Sequence, residues 1–216
     1  MNTDFARQQM VEQQVRAWDV LDADTLNVLK EVPREQFVPA GFEDLAFADT
    51  EIPIGHGQAM MTPTLEGRVL QALEPDSAAS VLEIGTGSGF LAACLARLAS
   101  RVTSVDIHQD FLKTAAVNLA DSGINNVELV KMDATQQLPE EQFDAIAVTG
   151  SIQNFDPRFV MALKPEGRLF VVVGEAPVME ARLVRRTSES EWQTTTLFET
   201  RLRPLVNGSM PPQFLF

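Results

Sequence analysis

The sequence of 216 residues contains one cysteine, two histidines and no tyrosine. One cysteine excludes an internal disulfide. Cys94 sits in the apolar run Leu91-Ala92-Ala93-Cys94-Leu95-Ala96 and reads as a buried structural thiol rather than a nucleophile. His56 and His108 lie in separate segments and read as loop or site-wall residues, not proton carriers. No cluster of His, Cys, Asp and Glu has metal-ligand spacing along the chain, so no metal is expected. Apolar runs of ~18 residues, the length that spans a bilayer, are absent, and no membrane partner is expected. Residues 1–10 carry Asp4 and Arg7 without an apolar stretch, which argues against an export signal and for a cytoplasmic protein. Basic residues are few: 17 Lys and Arg stand against 30 Asp and Glu, a net charge of −13. Such a charge repels a phosphate backbone at long range, so nucleic acid is not an expected partner.

What remains is an ordinary globular balance, 45% hydrophobic and 22% charged residues. A chain of this length suggests one compact unit that buries roughly 70% of its unfolded surface. Two regions differ in pattern. In residues 1–79, weak helical periodicity over 3–16 and a helix over 22–31, capped by Asp22, give way to breaks at Pro33, Pro39 and Gly41. The stretch 52–58 reads as a loop, and Pro63 as the first turn of a helix carrying Leu65, Val69, Leu70 and Leu73. Residues 80–216 alternate strand and helix. Strands are expected at 80–84, 101–106, 127–132, 143–149 and 169–173, with helices to about Ala99, over 109–121 and near 157–163. The helix over 109–121 presents Phe111, Leu112, Ala115, Ala116 and Leu119 on one face. Residues 178–187 and 192–203 read as an antiparallel hairpin on the sheet edge. The expected architecture is α/β, a Rossmann-like, doubly wound and mostly parallel sheet with helices on both faces. An N-terminal helical extension packs over the active site, and antiparallel strands finish one edge.

The strongest local signal is Glu83-Ile84-Gly85-Thr86-Gly87-Ser88-Gly89, which joins a strand to a helix. Backbone N–H groups and a helix N-terminus face a ligand at such a turn, and glycines let it approach closely. Gly87-Ser88-Gly89-Phe90-Leu91-Ala92 also fits a dinucleotide fingerprint. Glu83, at the strand's end, suits a cationic ligand better than a pyrophosphate. Asp106 ends the next strand, where a carboxylate either accepts from both ribose hydroxyls or caps the following helix. Asp133 ends the third, where it either reads an adenine edge or closes a turn.

Together, the Glu83–Gly89 loop and Asp106 resemble the cofactor motif of class I methyltransferases. Met10-Val11-Glu12-Gln13-Gln14-Val15, Val32-Pro33-Arg34-Glu35-Gln36-Phe37-Val38-Pro39, Ile52-Pro53-Ile54-Gly55-His56-Gly57-Gln58 and Arg203-Pro204-Leu205-Val206-Asn207-Gly208 are similar to stretches of the protein-L-isoaspartate O-methyltransferase family. Order and spacing match from about residue 8 to 208. The resemblance implies S-adenosylmethionine as donor and S-adenosylhomocysteine as product. It implies donor contacts at Gln58, Glu83, Gly85, Thr86, Gly87, Ser88, Gly89, Asp106, Ile107, Asp133 and Ala134. The acceptor it implies is a carboxylate on a protein or peptide, methylated as a first step of repair. A carboxylate is already nucleophilic at neutral pH, so the enzyme's task is alignment and exclusion of water rather than base catalysis.

Two departures stand out. The family reads Thr-Ile-Ser after Gly-Gln, whereas here Gly57-Gln58 is followed by Ala59-Met60-Met61-Thr62-Pro63. The family's serine, beside the reacting groups, corresponds to Met61, which with Thr62 marks the expected acceptor pocket. After the fourth strand the family favours Val-Thr-Ala-Ala, and this chain has Val148-Thr149-Gly150-Ser151. The Asn/Asp-Pro-Pro-Tyr/Phe motif of amino-group methyltransferases is absent. Three readings follow: an isoaspartyl methyltransferase, a relative with another acceptor, or a cofactor-binding protein with little turnover.

Overall fold

The computed structural model describes residues 3–208. Residues 1–2 and 209–216, the outer ends of the two expected regions, lie outside the described residues. Seven strands form the central sheet in the order β5-β4-β3-β6-β7-β8-β9. They are β3 (Ser80–Ile84), β4 (Arg101–Asp106), β5 (Val127–Lys131), β6 (Phe143–Val148), β7 (Leu163–Glu175), β8 (Val178–Arg186) and β9 (Trp192–Glu199). The first five are parallel. β8 and β9 add antiparallel to β7, as their alternating sequences predict.

Period-two patterning decides which layer each strand side chain joins. Val81, Phe170 and Val172 point into one core, and Leu82, Leu169, Val171 and Val173 into the other. The first core is built with α3 (Pro63–Leu73) and α4 (Phe90–Leu98), and the second with α6 (Pro157–Met161). Every residue of α4 from Phe90 to Ala96 is buried. That helix has no polar face because the sheet lies on one side and α2 (Ala23–Glu31) and α3 pack on the other. Cys94 is accordingly a fully buried thiol whose pKa is pushed well up by burial.

Local signals account for many boundaries. Asp22 accepts from the Thr25 N–H at 2.7 Å and starts α2. Thr62 caps α3, with Pro63 in its first turn. Elsewhere the structure differs from the sequence pattern. The helix over 3–16 is α1 (Thr3–Met10), widened into a π-turn over Val11–Val15 and tightened over Arg16–Trp18. Ala116 is exposed, because the buried face of α5 (Gln109–Asp121) is the narrower stripe of Phe111, Leu112, Ala115 and Leu119. β7 begins at Leu163, so α6 ends earlier than its apolar sequence suggests.

The stretch 52–58 is not a loop but part of a hairpin. β1 (Ile52–Gly55) pairs antiparallel with β2 (Gln58–Met60). His56 at φ 50° and Gly57 at φ 72° form its two-residue turn. Two positive φ values suit the twist of flanking strands, and histidine tolerates this region better than most residues. The usual Asn-Gly marker is missing, which hid the turn. No helix among the described residues is long and apolar enough to cross a membrane.

Candidate functional site

The chain runs outward through β3, β4 and β5, then returns to β6 on the other side of β3. Crossover connections leave in opposite directions at this switch point, which opens a crevice at the strands' C-terminal ends. A cleft of about 610 Å³ occupies it. Its floor is Gly85 and Gly87, its far side Asp106, Ile107, Asp133 and Ala134, and its near side Thr149 and Gly150. Ile54, Gln58 and Ala59 of the hairpin form the roof with Leu205 and Val206. A smaller space of about 330 Å³ continues past the same glycines to Met60, Met61, Glu66, Glu83, Thr86 and Ser88. Most of the residues picked from the sequence therefore converge. Thr62 and Gly89 line neither space.

The glycines make room mainly for protein. A Cβ on Gly85 (φ 101°) would overlap Thr149 Oγ1, and one on Gly87 would sit 3.1 Å from Ile54 Cδ1. Hairpin and glycine loop are thus in contact. Gly89 (φ 85°) lies against α5, where a Cβ would come within 2.9 Å of the Ala115 Cβ. Gly89→Ala is expected to lower stability by about 2 kcal/mol through overpacking and a left-handed backbone. Thermal unfolding of the ligand-free protein measures this, and an unchanged midpoint would show that α5 yields to the added methyl group.

Thr149 was not singled out by its type. Its hydroxyl lies 2.8 Å from the carbonyls of both Ile84 and Gly85, fixing the end of β3 to the end of β6. The departure at Gly150-Ser151 also has a packing reason. A Cβ at 150 would meet Leu205 at 2.7 Å, and Ser151 exchanges backbone hydrogen bonds with Arg203 and Leu205. The segment 203–207 crosses here, and Arg203 reaches the Gly57 carbonyl at 2.8 Å and Glu51 at 3.1 Å. Asn207 donates to Asp133 at 2.9 Å.

Four acids surround the two spaces. Asp106 accepts from the Gly87 N–H at 3.0 Å and the His108 N–H at 2.8 Å. It therefore shapes the glycine loop as well as facing the cleft. Burial works to raise Asp133, but hydrogen bonds from Thr135 and Asn207 outweigh it and hold the carboxyl below the usual range. Glu83 is fully buried, and desolvation pushes it up to about 8, against a hydrogen bond from Ser104 and with the charge of Asp106 adding to the rise. Ser104 is in turn fixed 2.7 Å from the Thr86 hydroxyl. Burial pushes Glu66 up to about 7, with the Arg34 guanidinium acting the other way.

Arg34 and Glu66 form an ion pair with both side chains out of solvent. The same guanidinium donates to the carbonyls of Met61 at 2.8 Å and Ala46 at 3.0 Å. Arg34 belongs to a segment that carries the resemblance, yet nothing in its sequence marked it as a site residue. Glu66, in the first turn of α3, is likewise unmarked in the sequence. Thr62, besides capping α3, lies 3.0 Å from Thr64, whose hydroxyl donates to Asp49 at 2.7 Å. Both hydroxyls are turned to local structure.

His56 and His108 are far apart in the sequence, whose spacing predicts loop or wall residues and no metal. The fold brings them together with Asp110 because the hairpin tip meets the start of α5. The two rings stack at 4.0 Å and 9°, and His56 Nε2 lies 2.7 Å from Asp110 Oδ2. That bond chiefly holds the exposed Asp110 carboxyl below its usual range.

Comparison with known proteins bears on this arrangement. The family model described as protein-L-isoaspartate(D-aspartate) O-methyltransferase matches residues 6–210. The chain is 35% identical over 209 residues to protein-L-isoaspartate O-methyltransferase 2 of Pelobacter propionicus, covering 96% of this chain and 93% of that one. Identity to the protein-L-isoaspartate O-methyltransferase of Koribacter versatilis is 33% over 209 residues, covering 95% and 94%. A Plasmodium falciparum crystal structure of a protein-L-isoaspartate O-methyltransferase, in complex with S-adenosyl-L-homocysteine, shares the fold. Its TM-score is 0.81 at 19% identity, over 93% of this chain and 98% of that one.

Proposed function

Since the chain belongs to the protein-L-isoaspartate(D-aspartate) O-methyltransferase family, whose members transfer a methyl group from S-adenosylmethionine to a carboxylate, we propose that its donor lies in the 610 Å³ cleft and its acceptor enters beside Met61. The observation that carries this reading is the convergence of Glu83, Gly85, Gly87, Asp106 and Asp133 on two adjoining spaces at the switch point.

Asp106 and Ile107 are assigned to the ribose side, and Asp133 and Ala134 to the base. Glu83, Gly85, Thr86, Gly87 and Ser88 take the amino-acid end, with Gln58 closing the roof. Once ionised, Glu83 offers a buried negative charge to a cationic ligand, and Asp106 offers carboxylate oxygens already oriented by two amides. Bound S-adenosylmethionine supplies an activated methyl on a sulfonium sulfur. The protein's own part is to align the acceptor and exclude water. We read residues 1–79 as the acceptor-side cover and residues 80–216 as the donor-binding unit. Ile54, Ala59, Met60 and Met61 support this by reaching the two spaces from the first region. A cytoplasmic setting goes with this reading, supported by the lone, buried thiol.

Met61 favours an acceptor other than the standard isoaspartyl carboxylate. It is 7% exposed, and its neighbours at the smaller space include Met60 and Ala59. Thr62 does not replace the family's serine, because its hydroxyl caps α3. Losing one hydrogen bond to a charged group costs roughly 1.5–3 kcal/mol, or about one to two orders of magnitude in rate. Methyl transfer from labelled donor to isoaspartyl and aspartyl peptides, side by side, tests the reading. Wild-type turnover on the isoaspartyl peptide is expected to be low. Met61→Ser, combined with Ala59→Thr, is expected to raise it about tenfold or more. If neither protein turns over while both bind donor, the isoaspartyl acceptor is excluded and the apolar rim points to a different one.

A further inference from the structure

Of the chain's two histidines, His108 lines the cleft and His56 stacks on it, in one cluster with Asp110. One ligand atom from each of the three residues lies within 4.8 Å of the other two. Ligands of a tetrahedral zinc, each at about 2.0–2.1 Å, stand roughly 3.3 Å apart. His56 and Asp110 have side chains 44% and 64% exposed and are free to turn; because an ion lies in the plane of each imidazole that holds it, closing the set requires the His56 ring to leave its 4.0 Å stack on His108. The third member is less free. His108 Nε2 is buried and meets no hydrogen-bond partner, an uncommon state for a ring nitrogen within a folded chain. His56 itself is held at a left-handed φ of 50°, at the tip of the hairpin. Two imidazoles and a carboxylate suit a borderline divalent cation better than magnesium or calcium, which prefer all-oxygen sites.

We propose that His56, His108 and Asp110 form a binding site for a zinc-like divalent cation that clasps the hairpin to the start of α5. The position gives the clasp a consequence. His56 lies between β1 and β2, whose Ile54, Gln58 and Ala59 roof the cleft. The N–H of His108 is bonded to Asp106, and Phe111, one residue after Asp110, lines the cleft wall. An ion shared by the three residues joins the roof to the far side of the cleft, so nucleoside ligands leave only when that bridge or the hairpin yields. Binding energies linked in this way are reciprocal.

The test is calorimetric titration of the whole protein with zinc chloride, then with magnesium chloride. One zinc per chain is expected, and no magnesium. His56→Asn keeps a residue that tolerates the left-handed turn and removes a ligand. It should weaken zinc at least as much as losing an outer-shell partner does, roughly 10–100-fold, as should Asp110→Asn. Retention of zinc by both variants, or no saturable zinc binding by wild type, overturns the site. Release of S-adenosylhomocysteine, followed by stopped flow, should slow about fivefold or more with zinc in wild type and be unchanged in His56→Asn. Equal release rates in wild type with and without zinc overturn the clasp. This last arm rests on the proposed donor site, whereas zinc binding does not. Failure of S-adenosylhomocysteine to bind at all would therefore refute the donor assignment separately.

Discussion

Replacement of Glu83 by glutamine is expected to weaken S-adenosylmethionine roughly 10–100-fold above pH 8 and, at the same time, to make the ligand-free protein more stable there. Both effects come from one buried carboxyl. Desolvation holds it at about 8 in the fold, against an ordinary 4.5. In the ligand-free protein it carries a proton below about 8, and pairing with a cationic ligand requires that proton to leave. Wild-type affinity should therefore climb by up to tenfold per pH unit as pH rises towards 8, about 1.4 kcal/mol each, and then level off. Glutamine has no proton to lose, and its affinity should be flat across the same range. The stability sign runs the other way. Between 4.5 and about 8 the folded state holds a proton that the unfolded chain releases, so stability present at low pH is lost as pH rises through that window. Glu83→Gln removes the loss and should exceed wild type by a few kcal/mol at pH 9, with little difference near pH 5. Calorimetric binding at pH 6, 7, 8 and 9, with urea unfolding at pH 5 and 9, measures both. A wild-type affinity independent of pH would sink the assignment of Glu83 to the ligand's cationic end.

Arg34→Met should cost about 3–5 kcal/mol, the largest loss of stability expected from a single side chain here. The guanidinium is fully buried and serves three acceptors on separate elements: Glu66, the Met61 carbonyl and the Ala46 carbonyl. Its carbon atom also lies 4.8 Å from the centre of the Phe90 ring. Removal strands the Glu66 carboxyl and two carbonyls in a dry interior; the carboxyl, already pushed up to about 7 against the opposing guanidinium, then keeps a proton, and the cost is that of buried polar groups left without partners. The double change Arg34→Met with Glu66→Leu removes both charges and should recover much of the loss, although the two carbonyls stay unsatisfied. Urea midpoints of the three proteins at pH 7 decide it. A double variant no better than the single would show that the carbonyls, not the ion pair, carry the cost.

The boundary between what was legible in the sequence and what was not follows the range of each interaction. Asp22, Pro63 and the Glu83–Gly89 loop act on neighbours within a turn or two, and the structure has the first two at helix starts and the loop between a strand and a helix. The alternating strands β8 and β9 also announce themselves, because period two depends on the strand alone. The hairpin β1–β2 stayed hidden because its turn uses histidine where Asn or Asp is the usual cue. Arg34 and Glu66 look like surface charges until α2, α3 and α4 close around them. The cluster of His56, His108 and Asp110 has no spacing signal, since it exists only where the hairpin tip meets α5. Thr149 and the small Gly150-Ser151 pair gain their reason from Leu205, far along the chain.

The crossing of residues 203–207 over the cleft also sets an order of events during synthesis. The floor, from β3 to β6, is translated before the segment that crosses it. The roof is not closed at that stage: Leu205 and Val206 are absent, the hairpin lacks its Arg203 contacts to Glu51 and Gly57, and Asp133 lacks Asn207. A nascent chain therefore holds the glycine loop and Asp106 before it holds the roof that closes over them. Ligand capture becomes a late checkpoint of maturation, reached only after every strand of the sheet has left the ribosome.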